Sequence, residues 1–256
     1  MQAAAEDWPE PISTCWNHWL AVPTGDQVGV MEILGLSLPR PITFAEAQEV
    51  IDEDGHGEPG SRDHLSRVFV TPEVDGWTLV IGAWCDPFDG ARREDVLRLC
   101  RALSARYGGA QAYYYGAQGD GSAWLVAENG CAIRRYAATG EPDDKSLTLG
   151  NPLPHEQVRL QELGLSVDGD LRTASVEQLD EWTLAAFDMA PEIAAACGVS
   201  PFTLTHDTKV RGTGVLAITR AAVTPPTASS APLNTNADTL STTPKTSTML
   251  PHSRKP

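Results

Sequence analysis

Carboxylates, histidines and aromatic or arginine side chains are the residues that could do chemistry. Asp52, Asp54, Gly57 and Asp63 of DEDGHGEPGSRD stand at positions 1, 3, 6 and 12 of a calcium-loop spacing, in which acidic oxygens converge on a hard cation. His56 at position 5, Pro59 at position 8 and Asp in place of the closing Glu break that pattern. A solvated acidic loop over 52–63 is the simpler assignment. His155-Glu156 opens like a zinc-protease helix, but Arg159 occupies the place of the second histidine. The six histidines contain no HxH or HxxxH pair, and the five cysteines (Cys15, Cys85, Cys100, Cys131 and Cys197) no CxxC. No GxSxG, P-loop or helix-opening GxGxxG occurs. Neither a metal site nor a cofactor is expected, and no catalytic set stands out.

A binding constellation is easier to assemble. Trp77, Tyr113, Tyr114, Trp124, Arg134, Arg135, His155 and Glu156 are its candidate members, because aromatics and arginine dominate interface hot spots. Asn129-Gly130 predicts a two-residue hairpin turn. Counting back from it pairs Val126 with Ile133, Leu125 with Arg134 and Trp124 with Arg135. Trp124 and Arg135 then share a face as a cation–π pair, alongside a tyrosine. Such a pair is as readily a packing contact as a binding surface. Ile193 to Leu204 (IAAACGVSPFTL) is similar to the middle of a helix-turn-helix; the other assignment is a short helix closed by Gly198. Arg92, Arg93, Arg98, Arg101 and Arg106 crowd one helix, either to pair with the protein's own carboxylates or to dock an acidic partner.

The elements that must position these residues follow from pattern. Cys15 to Val22 reads as a strand. Thr24 offers a cap for a helix with Val28, Met31 and Leu34 inward, stopped by Gly35. Thr43 starts another, with Phe44, Ala47 and Val50 or Ile51 inward. Arg67–Thr71 and Trp77–Gly82 form a hairpin. Asp89 caps a helix whose inner stripe is Val96, Leu99, Cys100, Leu103 and Tyr107. Residues 111–116, 122–128 and 131–137 are strands, and 139–152 is turn-rich. Helices follow over 154–163, 175–190 and 191–197, with Ser175 and Gln178 at capping-box spacing.

The expected fold class is α+β: an antiparallel sheet with helices on one face, a ferredoxin-like βαββαβ unit plus a hairpin, followed by a small helical region. Residues 1–13 are read as a flexible N-terminus, 14–150 as the α+β domain, 151–220 as a helical extension packed on it, and 221–256 as a disordered tail. In the tail 19 of 36 residues are Thr, Ser or Pro.

The 34 acidic and 19 basic side chains give a formal charge of −15. The tail sums to +2, which leaves −17 on the first 220 residues. That charge argues against nucleic-acid coating, which needs a basic surface. The first residues lack the charged and apolar regions of a secretory signal, and no apolar run approaches the length of a membrane span. A cytoplasmic protein with free thiols is expected, of unspecified oligomeric state.

VFVTPEVDGWTLVIG (68–82), LSARYGGAQAYYY (103–115), RRYAATGE (134–141) and HEQVRLQELGL (155–165) resemble a family of uncharacterised bacterial proteins with a VFVxPxxxGWTLVxG core. The likeness spans about residues 14–205. It implies a shared fold and assigns no activity. Abundant Ala, Gly, Arg and Asp fit a GC-rich, actinobacterial source.

Three functions are carried forward. The first is an acidic interaction protein, immunity- or adaptor-like, that holds a protein partner on an aromatic, arginine-bearing sheet face. The alternative is a small-molecule enzyme with a pocket between sheet and helices. The third is a helix-turn-helix DNA binder.

Overall fold

The computed structural model describes residues 9–56 and 63–220. The stretches expected to be a flexible N-terminus and a disordered tail lie outside them, except for 9–13. Ile12 in that piece is buried, and its N–H donates to Pro201 O at 3.1 Å, so the packed chain begins before residue 14.

Strand β1 (Trp16–Val22) buries side chains on both faces: Trp19 and Ala21 enter one apolar core, Leu20 and Val22 the other. That double burial marks a central strand. Helix α1 (Gln27–Leu34) is capped by Asp26, whose carboxylate accepts the Gly29 N–H, and ends at Gly35 with φ +66°. The expected cap, Thr24, instead accepts from Asp26 N. The inner stripe rotates accordingly to Val30 and Leu34 and leaves Val28 exposed. Strand β2 (Ser37–Pro41) was not expected, since it holds two prolines; it sits at the sheet edge, where a missing N–H costs no ladder bond. Helix α2 (Phe44–Gly55) starts with a capping box between Thr43 and Glu46 and buries Phe44, Ala47 and Ile51. It runs through Asp52 and Asp54, so the start of the expected acidic loop is helical. Arg67 grips Asp54 at 2.5 and 3.1 Å. The remainder of the calcium-like spacing, 57–62, lies outside the described residues.

Strands β3 (Arg67–Val70), β4 (Glu73–Val74) and β5 (Thr78–Ile81) are followed by a 3-10 turn over Ala83–Cys85. Helix α3 (Arg93–Tyr107) then leads to β6 (Gly109–Gly116), β7 (Gly121–Glu128) and β8 (Cys131–Ala138). Its N-cap position is Arg92; Asp89 forms a turn ahead of it, accepting from Ala91 N. Four helices come next: α4 (Asp144–Leu147), α5 (Pro154–Glu162), α6 (Val176–Phe187) and α7 (Ala190–Cys197). Two short strands, β9 (Val210–Arg211) and β10 (Val215–Ile218), close the described chain.

The main sheet is antiparallel throughout, in the order β2-β10-β3-β5-β1-β6-β7-β8. Its central four, β3-β5-β1-β6, with α1 and α3 on one face, are the expected ferredoxin-like unit, and β7–β8 is the added hairpin. The second face is not open. Phe44, Leu160, Trp182, Ala186 and Ile193, from α2, α5, α6 and α7, pack on it against Trp19, Phe69, Tyr113 and Trp124. Such large apolar side chains demand cover, and the C-terminal helices supply it. Strand β10, from beyond those helices, returns to the sheet between β2 and β3, so residue 150 is no domain boundary. Ile193 to Leu204 is no helix-turn-helix: α7 is followed by one 3-10 turn, Pro201–Thr203, and Ile193, Ala194 and Leu204 are core residues. A single turn cannot serve as a recognition helix.

Asn129 and Gly130 both adopt positive φ (48° and 84°), as a two-residue hairpin requires. Glu128 opposes Cys131 as expected, but the register then shifts: Val126 faces Arg134, Leu125 faces Arg135 and Trp124 faces Tyr136. A bulge near Ile133 adds one residue to β8. The chain after α4 lies against this bulge. Leu149 and Arg135 exchange two backbone hydrogen bonds of 2.9 Å, and a Cβ on Gly150 (φ +75°) would overlap the Ile133 carbonyl oxygen. Gly150→Ala is therefore expected to cost about 2 kcal/mol or more in urea unfolding. Gly76→Ala, at φ +87° with open space around it, should cost only about 1 kcal/mol.

Candidate functional site

The bulge decides where the expected binding residues go. It places Arg134, not Arg135, on the face of Trp124, and both are buried there with Glu156. Arg134 Nη2 donates a short hydrogen bond to Glu156 Oε1, and its Nε lies 3.0 and 3.2 Å from the two carboxylate oxygens. Glu156 Oε2 also accepts from Trp124 Nε1 at 3.2 Å and from Leu153 N at 2.9 Å, while Arg134 Nη1 donates to Gly150 O. The guanidinium lies 4.9 Å from the Tyr136 ring centroid, and that ring stacks on Trp124. Burial pushes the Tyr136 hydroxyl pKa up, partly offset by the hydrogen bond it accepts from Trp182 Nε1. The adjoining cavity of about 90 Å³ is well below the ~300 Å³ of a small ligand site. This cluster is a structural lock.

The other members scatter. Tyr113 is buried against Trp19 and donates to Gln111 Oε1 at 3.0 Å. Trp77 is half-buried and packs so closely beneath Gly198 that a Cβ there would lie 2.5 Å from its ring. Arg135 faces the opposite core side, donating to Leu147 O at 2.7 Å and lying 3.6 Å from Glu94. His155 is half-exposed and meets Glu192 at 3.0 Å. Arg93, Arg98 and Arg106 of the basic helix region pair with Asp143, Asp95 and Asp26 at 2.8–3.0 Å, the self-neutralising outcome. Burial raises the Cys85 thiol to about 12 and Cys100 further still, so neither supplies a thiolate.

Tyr114 leads to a different place. It stands opposite His18 in the β1–β6 register, with ring centroids 5.1 Å apart, and Phe88 stacks on it at 6.3 Å. Asp86 follows the 3-10 turn. Its Oδ1 accepts from Phe88 N at 2.7 Å and Asp89 N at 3.1 Å, an Asx turn, while Oδ2 lies 3.3 Å from His18 Nε2. His18 Nδ1 makes no hydrogen bond to any described residue. Trp16 reaches over, its Nε1 donating to Asp120 Oδ2 at 2.9 Å. Together with Asp89 and Glu141 these residues line a cleft of about 420 Å³, within the range of ligand sites.

The electrostatics of the cleft are one-sided. Asp86, Asp89, Asp120 and Glu141 face three aromatic rings, and His18 is the only basic side chain among the described lining residues. Burial alone would raise the Asp86 carboxyl; His18 and the two N–H donors outweigh it and hold the group below its usual value. Burial, then the charges of Asp120 and Asp86, push the Tyr114 hydroxyl up to about 12. Carboxylates beside aromatic faces are the chemistry of cation recognition. A carboxylate-oriented imidazole is also the arrangement of a general base. Sequence reading missed His18, Asp86, Phe88 and Trp16. The alternation of Trp16 and His18 on one strand and the Asp86-Pro-Phe-Asp turn were visible, but their meeting depends on strand order.

No family model, curated protein or solved structure matches the chain. No helix among the described residues is long and apolar enough to cross a membrane.

Because the folded pKa of Asp86 is depressed, its stabilisation is present above the unfolded value of about 3.9 and is lost as pH falls through the folded value. Asp86→Asn should lower stability at pH 7 and flatten the decline below about pH 4. Thermal unfolding across pH 2–7 measures both; an unchanged acid limb contradicts the assignment.

Proposed function

We propose that the chain is an acidic binding protein that holds a protein partner by seating a basic side chain, arginine above all, in the Trp16–His18–Asp86–Phe88–Tyr114–Asp120 cleft. The observation that carries this reading is the lining itself: four carboxylates and three aromatic rings, with no lysine or arginine among the described lining residues. A guanidinium stacks on aromatic faces and forks to carboxylates, so one arginine would satisfy both kinds of wall. The charge of −17 on residues 1–220 steers a basic partner toward the domain. The expected aromatic recognition thus moves from the sheet face, which is covered, to the end of the sheet. Five unpaired cysteines support action in the cytoplasm.

A second reading, a small-molecule enzyme, is favoured by one observation: Asp86 lies 3.3 Å from His18 Nε2, and the imidazole Nδ1 has no hydrogen-bond partner among the described residues, as a general base requires.

Calorimetric titration with acetyl-tri-arginine amide and with agmatine separates the two. Partner binding predicts saturable peptide binding that weakens about tenfold in Asp120→Asn and in Trp16→Ala and at raised salt. Agmatine binding as tightly as the peptide would favour the enzyme. Peptide binding that is absent, or indifferent to both substitutions, contradicts the proposal.

A further inference from the structure

The segment 84–92 also supplies residues to a second cleft of opposite charge. Trp84 and Arg92 line it together with Asp95 and Arg98 of α3 and Arg220, the last described residue, around a space of about 280 Å³. Three guanidinium groups face one carboxylate, in a chain that is otherwise strongly acidic.

Arg92 is the informative member. Its side chain is 10% exposed. Its Nε donates to Trp84 O at 3.0 Å, its Nη1 to Asp95 Oδ2 at 2.9 Å, and the guanidinium lies 4.5 Å from the Trp84 ring centroid. Its Nη2 is buried and has no hydrogen-bond partner among the described residues. Unmatched buried donors on a charged group are costly and rare in native proteins. Asp95 cannot compensate fully, because its other oxygen is taken by Arg98 at 2.8 Å. Burial accordingly holds the Arg92 pKa below its usual value despite Asp95. An oxyanion in this cleft would meet the exposed Arg98 guanidinium and the small accessible edge of Arg92, whose Nη2 itself lies beneath the surface. The apolar part of the wall, Leu34, Leu65 and Leu99, would hold a hydrocarbon body attached to it.

We propose that this cleft binds a small organic oxyanion, a phosphate or carboxylate carried on an apolar group, through Arg92 and Arg98. The inference is independent of the cation-binding cleft, since neither arginine lines that site.

The test is calorimetric titration of the full chain with phenyl phosphate, benzoate and inorganic phosphate at constant ionic strength, with chloride as the balancing anion. Saturable binding of phenyl phosphate or benzoate, tighter than inorganic phosphate, is expected. Which of the two binds more tightly identifies the headgroup. Arg98→Gln should weaken binding at least about fivefold; Arg98 is exposed, so this variant folds even if an Arg92 substitution does not. Arg92→Lys, which keeps the charge but loses the fork, should weaken it as much or more. Failure to saturate by about 10 mM, affinity no better than inorganic phosphate, or an unchanged affinity in Arg98→Gln overturns the proposal.

Discussion

Glu156 has no solvent exposure, and a buried carboxylate is tolerable only if its oxygens are matched. Here they are matched by groups from three elements. Arg134 comes from β8, Trp124 from its hairpin partner β7, and the Leu153 N–H from the start of Glu156's own helix. The same carboxylate therefore accepts the N-cap N–H of α5 and ties that helix to the sheet. With α5 fixed, Leu160 is delivered to the core, and α6 and α7 complete the cover over Trp19, Tyr113 and Trp124. A sheet face that would otherwise expose a row of aromatic rings becomes interior.

That closure moves the proposed binding site. An open aromatic sheet is the obvious place for a partner to bind, and it is full. What stays accessible is one end of the sheet, where Trp16, His18 and Tyr114 meet the Asp86 turn and the Asp120 loop. The negative charge of the domain acquires a focus there. The positive charge is mostly spent internally, in ion pairs along α3 and in the Arg134 lock, and Arg92 and Arg98 share the single carboxylate of Asp95.

The sequence made its local decisions legible. The Asn129-Gly130 turn, the helix start at Thr43, the Ser175–Gln178 capping box and the Val96–Leu103 stripe each depend on a few neighbouring residues, and each is found as read. The βαββαβ order followed from those elements. Long-range pairing was not legible. Strand β2 is stabilised only by its pairing with β10, roughly 175 residues further on, and the β8 bulge is met by Leu149 and Gly150 from a loop. Missing that one-residue bulge exchanged the faces of Arg134 and Arg135. His18 and Asp86 lie on separate elements that only the finished sheet brings together. Of the expected site residues Tyr114 belongs to the cleft, whereas Trp124, Arg134 and Glu156 proved to be the lock.

The central claim is that the Glu156 carboxylate holds the helical cover on the sheet. Denaturant unfolding of Glu156→Ala against the native chain, followed by tryptophan fluorescence, tests it most directly. Removing one partner of a buried, hydrogen-bonded ion pair should lower stability by about 3–5 kcal/mol. A loss below about 1 kcal/mol, within the range of an exposed surface pair, would contradict the account.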